Sequence, residues 1–164
     1  ARLRALQDVE IRFTPDEARA EIQRWLQPGW QARAQGDGSL GERLRRSAAE
    51  AFARGVQRVA LVGSDCPDVT PGDIEEAWAH LDAHDVVLGP ATDGGYWLIA
   101  LRADHPGLFE SIDWSTPRVL SQTEERAAEL GLTVSLLHSY HDIDTAADWR
   151  AYLSTQHAAA AQAQ

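Results

Sequence analysis

Short apolar runs alternate along this chain with longer stretches in which apolar residues recur at helical spacing. Val59-Ala60-Leu61-Val62 is continuously apolar, the pattern of a strand covered on both faces. Asp8 to Phe13, Asp85 to Gly89, Gly95 to Leu101 and Leu132 to His138 read as further strands. Helix entrances stand between them. Thr14 reads as a cap, with Pro15 at the first helical position and Glu17 three residues after the cap. Ser39 and Glu42 have capping-box spacing ahead of a helix over Leu44 to Arg54. Thr70, Pro71 and Asp73 open a helix to about His80, Thr116-Pro117 one that ends near Gly131, and Thr145 with Asp148 the last. Strands alternating with capped helices predict an α/β fold, a three-layer α/β/α sandwich with a mainly parallel sheet. No repeat or linker interrupts the pattern, so residues 1–156 read as a single domain. The alanine- and glutamine-rich stretch 157–164 reads as a flexible tail.

Composition narrows the function classes. The chain has 164 residues, enough for one domain with a real core. It contains no apolar stretch approaching the roughly 20 residues that a membrane helix needs. Cys66 is the single cysteine, so no internal disulfide is available, and the expected compartment is the cytoplasm. The formal net charge of −10 opposes binding to nucleic acid. Every base is arginine, methionine is absent, and the chain starts at Ala1, which points to residues upstream.

In a parallel sheet, ligands bind beyond the carboxyl ends of the strands, so chemistry is sought there. Gly63-Ser64-Asp65-Cys66-Pro67-Asp68 follows the apolar run Val59 to Val62. Asp65 would leave its strand at that crevice as a hard oxygen ligand for magnesium or manganese. A turn accounts for the same residue types, but Thr70 already supplies the next cap. Asp68 is a weaker candidate than Asp65. Cys66 lacks a neighbouring histidine to activate it as a nucleophile.

His141-Asp142-Ile143-Asp144-Thr145 follows another strand, and residues two apart in extended chain face the same way. Asp142 and Asp144 could therefore share one site. Uncompensated carboxylates about 4 Å apart repel by about 4 kcal/mol at an effective dielectric of 20, which a divalent cation would reverse. The alternative is helix capping by Asp144. His141 reads first as a solvated or packed histidine, then as a ligand or base. Asp93-Gly94-Gly95 allows a close approach to a ligand, but on spacing alone a hairpin turn is the better reading. Trp114-Ser115-Thr116-Pro117 is a helix entrance whose free amides would suit an anion, although an ordinary cap is the default.

Four segments in this order resemble one family: 63–68, Gly89-Pro90-Ala91-Thr92-Asp93-Gly94-Gly95-Tyr96-Trp97-Leu98-Ile99, Trp114 to Pro117, and Asp142-Ile143-Asp144-Thr145. It is the bacterial radical-SAM/selenodomain-associated transferase family 1. Its members are similar to glycosyltransferases of the A type, a fold shared with 2-phospholactate guanylyltransferases and molybdenum-cofactor nucleotidyltransferases. The resemblance implies a nucleotide-diphospho-sugar transferase fold with a magnesium or manganese site. Asp65 would then be the metal aspartate after the nucleotide-binding strand, and Asp142 or Asp144 the second metal-side carboxylate. Asp65 and Asp144 would be catalytic. Asp93, Gly94 and Gly95 would line the acceptor side, with Ser115 at the anion-binding helix entrance. Ser39-Leu40-Gly41-Glu42-Arg43 also resembles a family segment, which brings Arg43 toward the ligand. Relatives begin with a strand and a Gly-, Lys- and Arg-containing phosphate loop. Here the chain enters in the helix after that loop, at Ala1 to Leu6.

The expected activity is nucleotidyl or glycosyl transfer from a nucleoside triphosphate or nucleotide sugar to a small acceptor of unknown identity, with no membrane partner. A metal-dependent phosphohydrolase and a non-catalytic nucleotide-binding or interaction domain are the alternatives.

Overall fold

The chain is described as a computed structural model over residues 2–162. A four-stranded sheet forms its centre. It is built from β3 (Val59–Val62), β4 (Val86–Pro90), β5 (Tyr96–Leu101) and β6 (Val134–Leu136), in the spatial order β3-β5-β4-β6. β4 pairs parallel with β6, whereas β5 pairs antiparallel with both β3 and β4. Three strands therefore share one direction, as expected, and a reversed β5 is inserted between β3 and β4. A separate two-stranded parallel sheet joins β1 (Glu10–Phe13) to β2 (Gln31–Ala34).

Helices cover both faces of the central sheet, giving the predicted three layers. On one face, α3 (Pro71–His80) brings Ile74 and Ala77 against Val87, Leu98 and Ala100. On the other, α2 (Leu40–Ala53) and α4 (Val119–Glu129) bring Ala48 and Ala127 against Val86, Leu88, Ile99 and Leu101. This alternation along β4 and β5 is the two-residue period of a strand buried on both sides. The register shifts between Gly89 and Pro90, leaving Trp97 as an extra residue on β5. The bulge turns Trp97 into the α3-side cluster with Leu98, where its ring lies over Gly89. The short helix α1 (Arg19–Ile22) and the long α5 (Ala146–Gln162) are the remaining α-helices among the described residues.

Several local expectations hold for the stated reasons. Ser39 caps α2 through the amide of Glu42, whose carboxylate returns to the Ser39 amide at 2.7 Å. Thr70 donates both its amide (2.6 Å) and its hydroxyl (2.9 Å) to Asp73. Thr145 and Asp148 form the same reciprocal pair ahead of α5.

Others are corrected. Thr14 caps no helix: Pro15 stands in extended conformation before a 3-10 turn at Asp16–Ala18, and no side chain caps it. The strand β2 has no counterpart among the sequence expectations, because Gln31-Ala32-Arg33-Ala34 carries only small apolar residues. Val59 to Val62 forms a strand covered on both faces, with Ala60 against the α3-side cluster and Leu61 against the α2-side cluster, but not a central one. β3 is an edge of this sheet, and Val62 is 36% exposed. The region of Ala1 to Leu6 is a 3-10 turn at Arg2–Ala5, with Ala1 outside the described residues. Apart from these corrections, the backbone of 157–162 continues α5, and residues 163–164 lie outside the described residues. Among the described residues, no helix is long and apolar enough to cross a membrane.

Candidate active site

Because β3, β4 and β6 run the same way, their carboxyl ends meet at one edge of the sheet. The loop joining β4 to the reversed β5 turns at that edge too. A parallel bridge between Ala91 and Tyr140 extends the β4–β6 pairing beyond the strands. The Tyr140 amide donates to Pro90 O, and the Thr92 amide donates to Tyr140 O, both at 3.0 Å. These bonds carry Thr92-Asp93 and His141-Asp142 out of the sheet side by side. The Ile143 amide donates to Asp65 O at 3.0 Å, tying the third strand end to the same place.

Carboxylate oxygens of Asp93, Asp142 and Asp144 come within 4.8 Å of one another. Asp65 stands beside this set through the Ile143 bond, with its own carboxylate folded back toward Gly63. Asp93 was expected on the acceptor side, and the structure brings its carboxylate together with Asp142 and Asp144. It also accepts the Gly95 amide at 2.7 Å, so one oxygen is oriented by the loop itself. Asp142 is partly buried, while Asp93 and Asp144 are exposed.

The electrostatics follow from three acids held close together. Among the described residues, none of the three forms an ion pair. The Asp144 carboxyl is held above its ordinary value by the charge of Asp142, then by burial and by a hydrogen bond between the two carboxyls. Asp65 and Asp93 add to it. Burial pushes the Cys66 thiol up to about 12, with Asp65, Asp142, Asp93 and Asp144 reinforcing the effect. A thiol so unwilling to ionise is no nucleophile at neutral pH. It is a packed core residue.

Two partners here were not evident in the sequence. The Thr92 hydroxyl lies 2.8 Å from His141 Nδ1 and donates to Asp142 Oδ1 at 3.5 Å. Its position directly before Asp93 at a strand end is the only sequence signal it offers. Tyr140 donates its hydroxyl to Asp73 at 3.0 Å and packs between Trp97 and His138. That phenol fixes the strand end from which Asp142 and Asp144 depart.

The glycines of the β4–β5 loop have a packing reason. Gly94 has φ +92, and a Cβ there would run into the backbone of Pro117. The Leu120 amide donates to Gly94 O at 2.9 Å, docking the loop on the start of α4. Any other residue would be strained and would push the loop off α4. Ser115 is exposed with φ 61 in the segment leading to α4. Thr116 donates its hydroxyl to Asp113 O (2.7 Å) and accepts the Arg118 amide (3.3 Å), which builds a turn ahead of α4, while the N-cap residue Arg118 makes no side-chain capping bond. Arg43 does not point freely. Its guanidinium donates to Gln35 Oε1 at 2.9 Å and to Ser39 O at 3.4 Å, bracing the loop ahead of α2.

Three hard oxygen donors clustered at a strand edge, with their repulsion unrelieved, suit a divalent cation such as magnesium or manganese.

A crystal structure from Desulfovibrio desulfuricans G20, provisionally assigned as a nucleotide-diphospho-sugar transferase, is similar to this chain with a TM-score of 0.81 and 35% identity. The likeness covers 88% of this chain and 64% of that one, so this chain spans less than two thirds of its relative's length. No curated protein matches the chain. A bacterial family profile matches residues 1–116, and the chain belongs to that family, described as uncharacterized protein conserved in bacteria (DUF2064).

Proposed function

We propose that this chain carries the metal-binding edge of a transferase that draws on a nucleotide donor, either a nucleoside triphosphate or a nucleotide sugar. The observation that carries the reading is the cluster of Asp93, Asp142 and Asp144, with oxygens within 4.8 Å and no ion-pair partner among the described residues. The likeness to a protein provisionally assigned as a nucleotide-diphospho-sugar transferase supports the same reading. So does the sequence resemblance to the radical-SAM/selenodomain-associated transferases.

Asp142 and Asp144, with Asp93 or Asp65, would hold magnesium or manganese. Bound there, the ion would supply charge neutralisation at the donor diphosphate and the leaving group. The chain's own residues prepare the site. Thr92 orients Asp142 and His141 together, and the Asp65 carbonyl pins the segment between the two aspartates. The Gly94-Gly95 loop, docked on α4, holds Asp93 in place and would line the acceptor side. An attacking hydroxyl or phosphate on the acceptor would then displace pyrophosphate in nucleotidyl transfer, or a nucleoside diphosphate in glycosyl transfer.

Calorimetric titration of the protein with UDP-glucose and with GTP, in manganese and in EDTA, tests this. Binding of at least one donor should weaken by 10-fold or more in EDTA. Equal affinity in both conditions would rule out the metal-bridged reading.

A further inference from the structure

Away from the acid cluster, a groove of about 470 Å³ is lined by Arg4, Ile11, Arg24, Trp25, Gln27 and Trp30. We infer that this groove is a second ligand site, for a planar aromatic ring that carries a carboxylate or a phosphate.

Its shape comes from a local turn. The Trp30 amide donates to Gln27 O at 3.0 Å, and between them stand Pro28 and Gly29, with Gly29 at φ +86. Proline second and a positive-φ glycine third are the requirements of a type II turn. The turn brings Trp25 and Trp30, five positions apart, to one groove. The Trp30 indole N–H donates to Leu6 O at 3.2 Å, across 24 residues of sequence. With its polar edge satisfied, that ring is held in place as an apolar wall. Trp25 is 71% exposed, the most exposed large apolar side chain among the described residues.

The charge of the groove runs against that of the chain. Acids outnumber bases 25 to 15, yet the only charged residues lining the groove are Arg4 and Arg24. Arg12, Arg33, Arg54, Arg58, Arg102, Arg118 and Arg126 each pair with a carboxylate. Arg4 and Arg24 have no ion-pair or side-chain hydrogen-bond partner among the described residues. A guanidinium offers planar paired donors that match a carboxylate or phosphate, and an indole face stacks an aromatic ring. A bare anion would leave both tryptophans unused, and a neutral ring would leave both arginines unused. The volume lies in the range of small-molecule sites, about 300 to 1,000 Å³. The groove is built on the β1–β2 unit and the turns before it, sharing no residue with the acid cluster, so it stands independently of the proposed transferase reading.

Calorimetry in EDTA, which silences a metal-dependent site, tests it with adenosine monophosphate and anthranilate, and with adenosine and inorganic phosphate as controls. At least one of the two aromatic anions should bind at least 10-fold more tightly than either control. Binding of adenosine monophosphate alone assigns the site to nucleoside phosphates, and of anthranilate alone to aromatic acids. Trp25→Ala and Arg24→Gln should each weaken that binding by 10-fold or more. Trp25→Phe should retain it, and Asp144→Asn should leave it unchanged. Both substituted side chains are exposed, and matching circular dichroism spectra verify the folds, with Arg4→Gln as a further variant. The inference fails if neither aromatic anion binds below millimolar concentration, if a control binds equally well, or if the alanine and glutamine variants bind as the parent does.

Discussion

Among the described residues, two groups of titratable side chains bring their ligand atoms within 4.8 Å, and their surroundings treat them in opposite ways. Asp73, Glu76 and His138 are compensated. Asp73 is buried and accepts the Thr70 amide, the Thr70 hydroxyl and the Tyr140 hydroxyl, while His138 Nε2 lies 3.4 Å from its other oxygen. Glu76 lies 3.9 Å from the second His138 nitrogen. Asp93, Asp142 and Asp144 sit at the open edge with no ion-pair partner among the described residues, and mutual repulsion raises the Asp144 carboxyl. The first group spends its acceptors on the fold; the second keeps them available. Proximity of acids alone therefore does not mark a site. Uncompensated proximity at the strand ends does.

The contrast breaks first at Asp73. Asp73→Ala removes a helix cap and strands the Tyr140 hydroxyl and His138, and should cost about 3 kcal/mol of unfolding free energy. Urea denaturation measures it, and an unchanged midpoint would mean that this group is not structural. Asp144→Asn and Asp65→Asn should do the reverse. Transfer should fall at least about 100-fold, equivalent to about 2.7 kcal/mol, while the melting temperature holds or rises. The sign at Asp144 follows from its raised carboxyl, which binds a proton more readily folded than unfolded. Its favourable contribution is present at low pH and is lost as pH rises through the folded value, so the amide relieves repulsion at neutral pH.

Asp85 sharpens the comparison from the satisfied side. At the start of β4 it accepts the Thr133 hydroxyl (2.6 Å), the Thr133 amide (2.9 Å) and the Arg102 guanidinium (2.9 Å). The Thr133 bonds, with Arg102 after them, hold its carboxyl down to about 2. Its stabilisation is complete above the ordinary carboxylate value and is lost as pH falls from about 4 toward 2. Asp85→Asn should cost about 1 to 2 kcal/mol at pH 7 and flatten that acid limb in pH-dependent thermal melts. Asp148→Asn should have the smallest effect, a slight fall in melting temperature from the weakened cap of α5 with transfer intact. If it abolishes transfer while Asp65→Asn does not, the division between structural and catalytic aspartates is reversed.

What local sequence determined is visible at particular positions. Ser39 with Glu42, Thr70 with Asp73 and Thr145 with Asp148 announce three helix entrances, because a capping box needs only residues three apart. The apolar runs that become β3, β4 and β5 were equally legible, as was the placing of Asp65, Asp142 and Asp144 at strand ends. Tertiary structure decided the rest. Whether β3 is central or an edge depends on which strand lies beside it, and no property of Val59 to Val62 encodes that. The reversal of β5 and the bulge at Trp97 arise from pairing with β4. Asp93 joins Asp142 and Asp144 only because β4 and β6 end side by side, nearly 50 residues apart in sequence. Asp73 and Asp142 are the same residue type, and what separates them is the set of donors each finds after folding. Donors from Thr70 could be foreseen from three residues away; the phenol of Tyr140 arrives from 67 residues away, where only the packed fold can bring it.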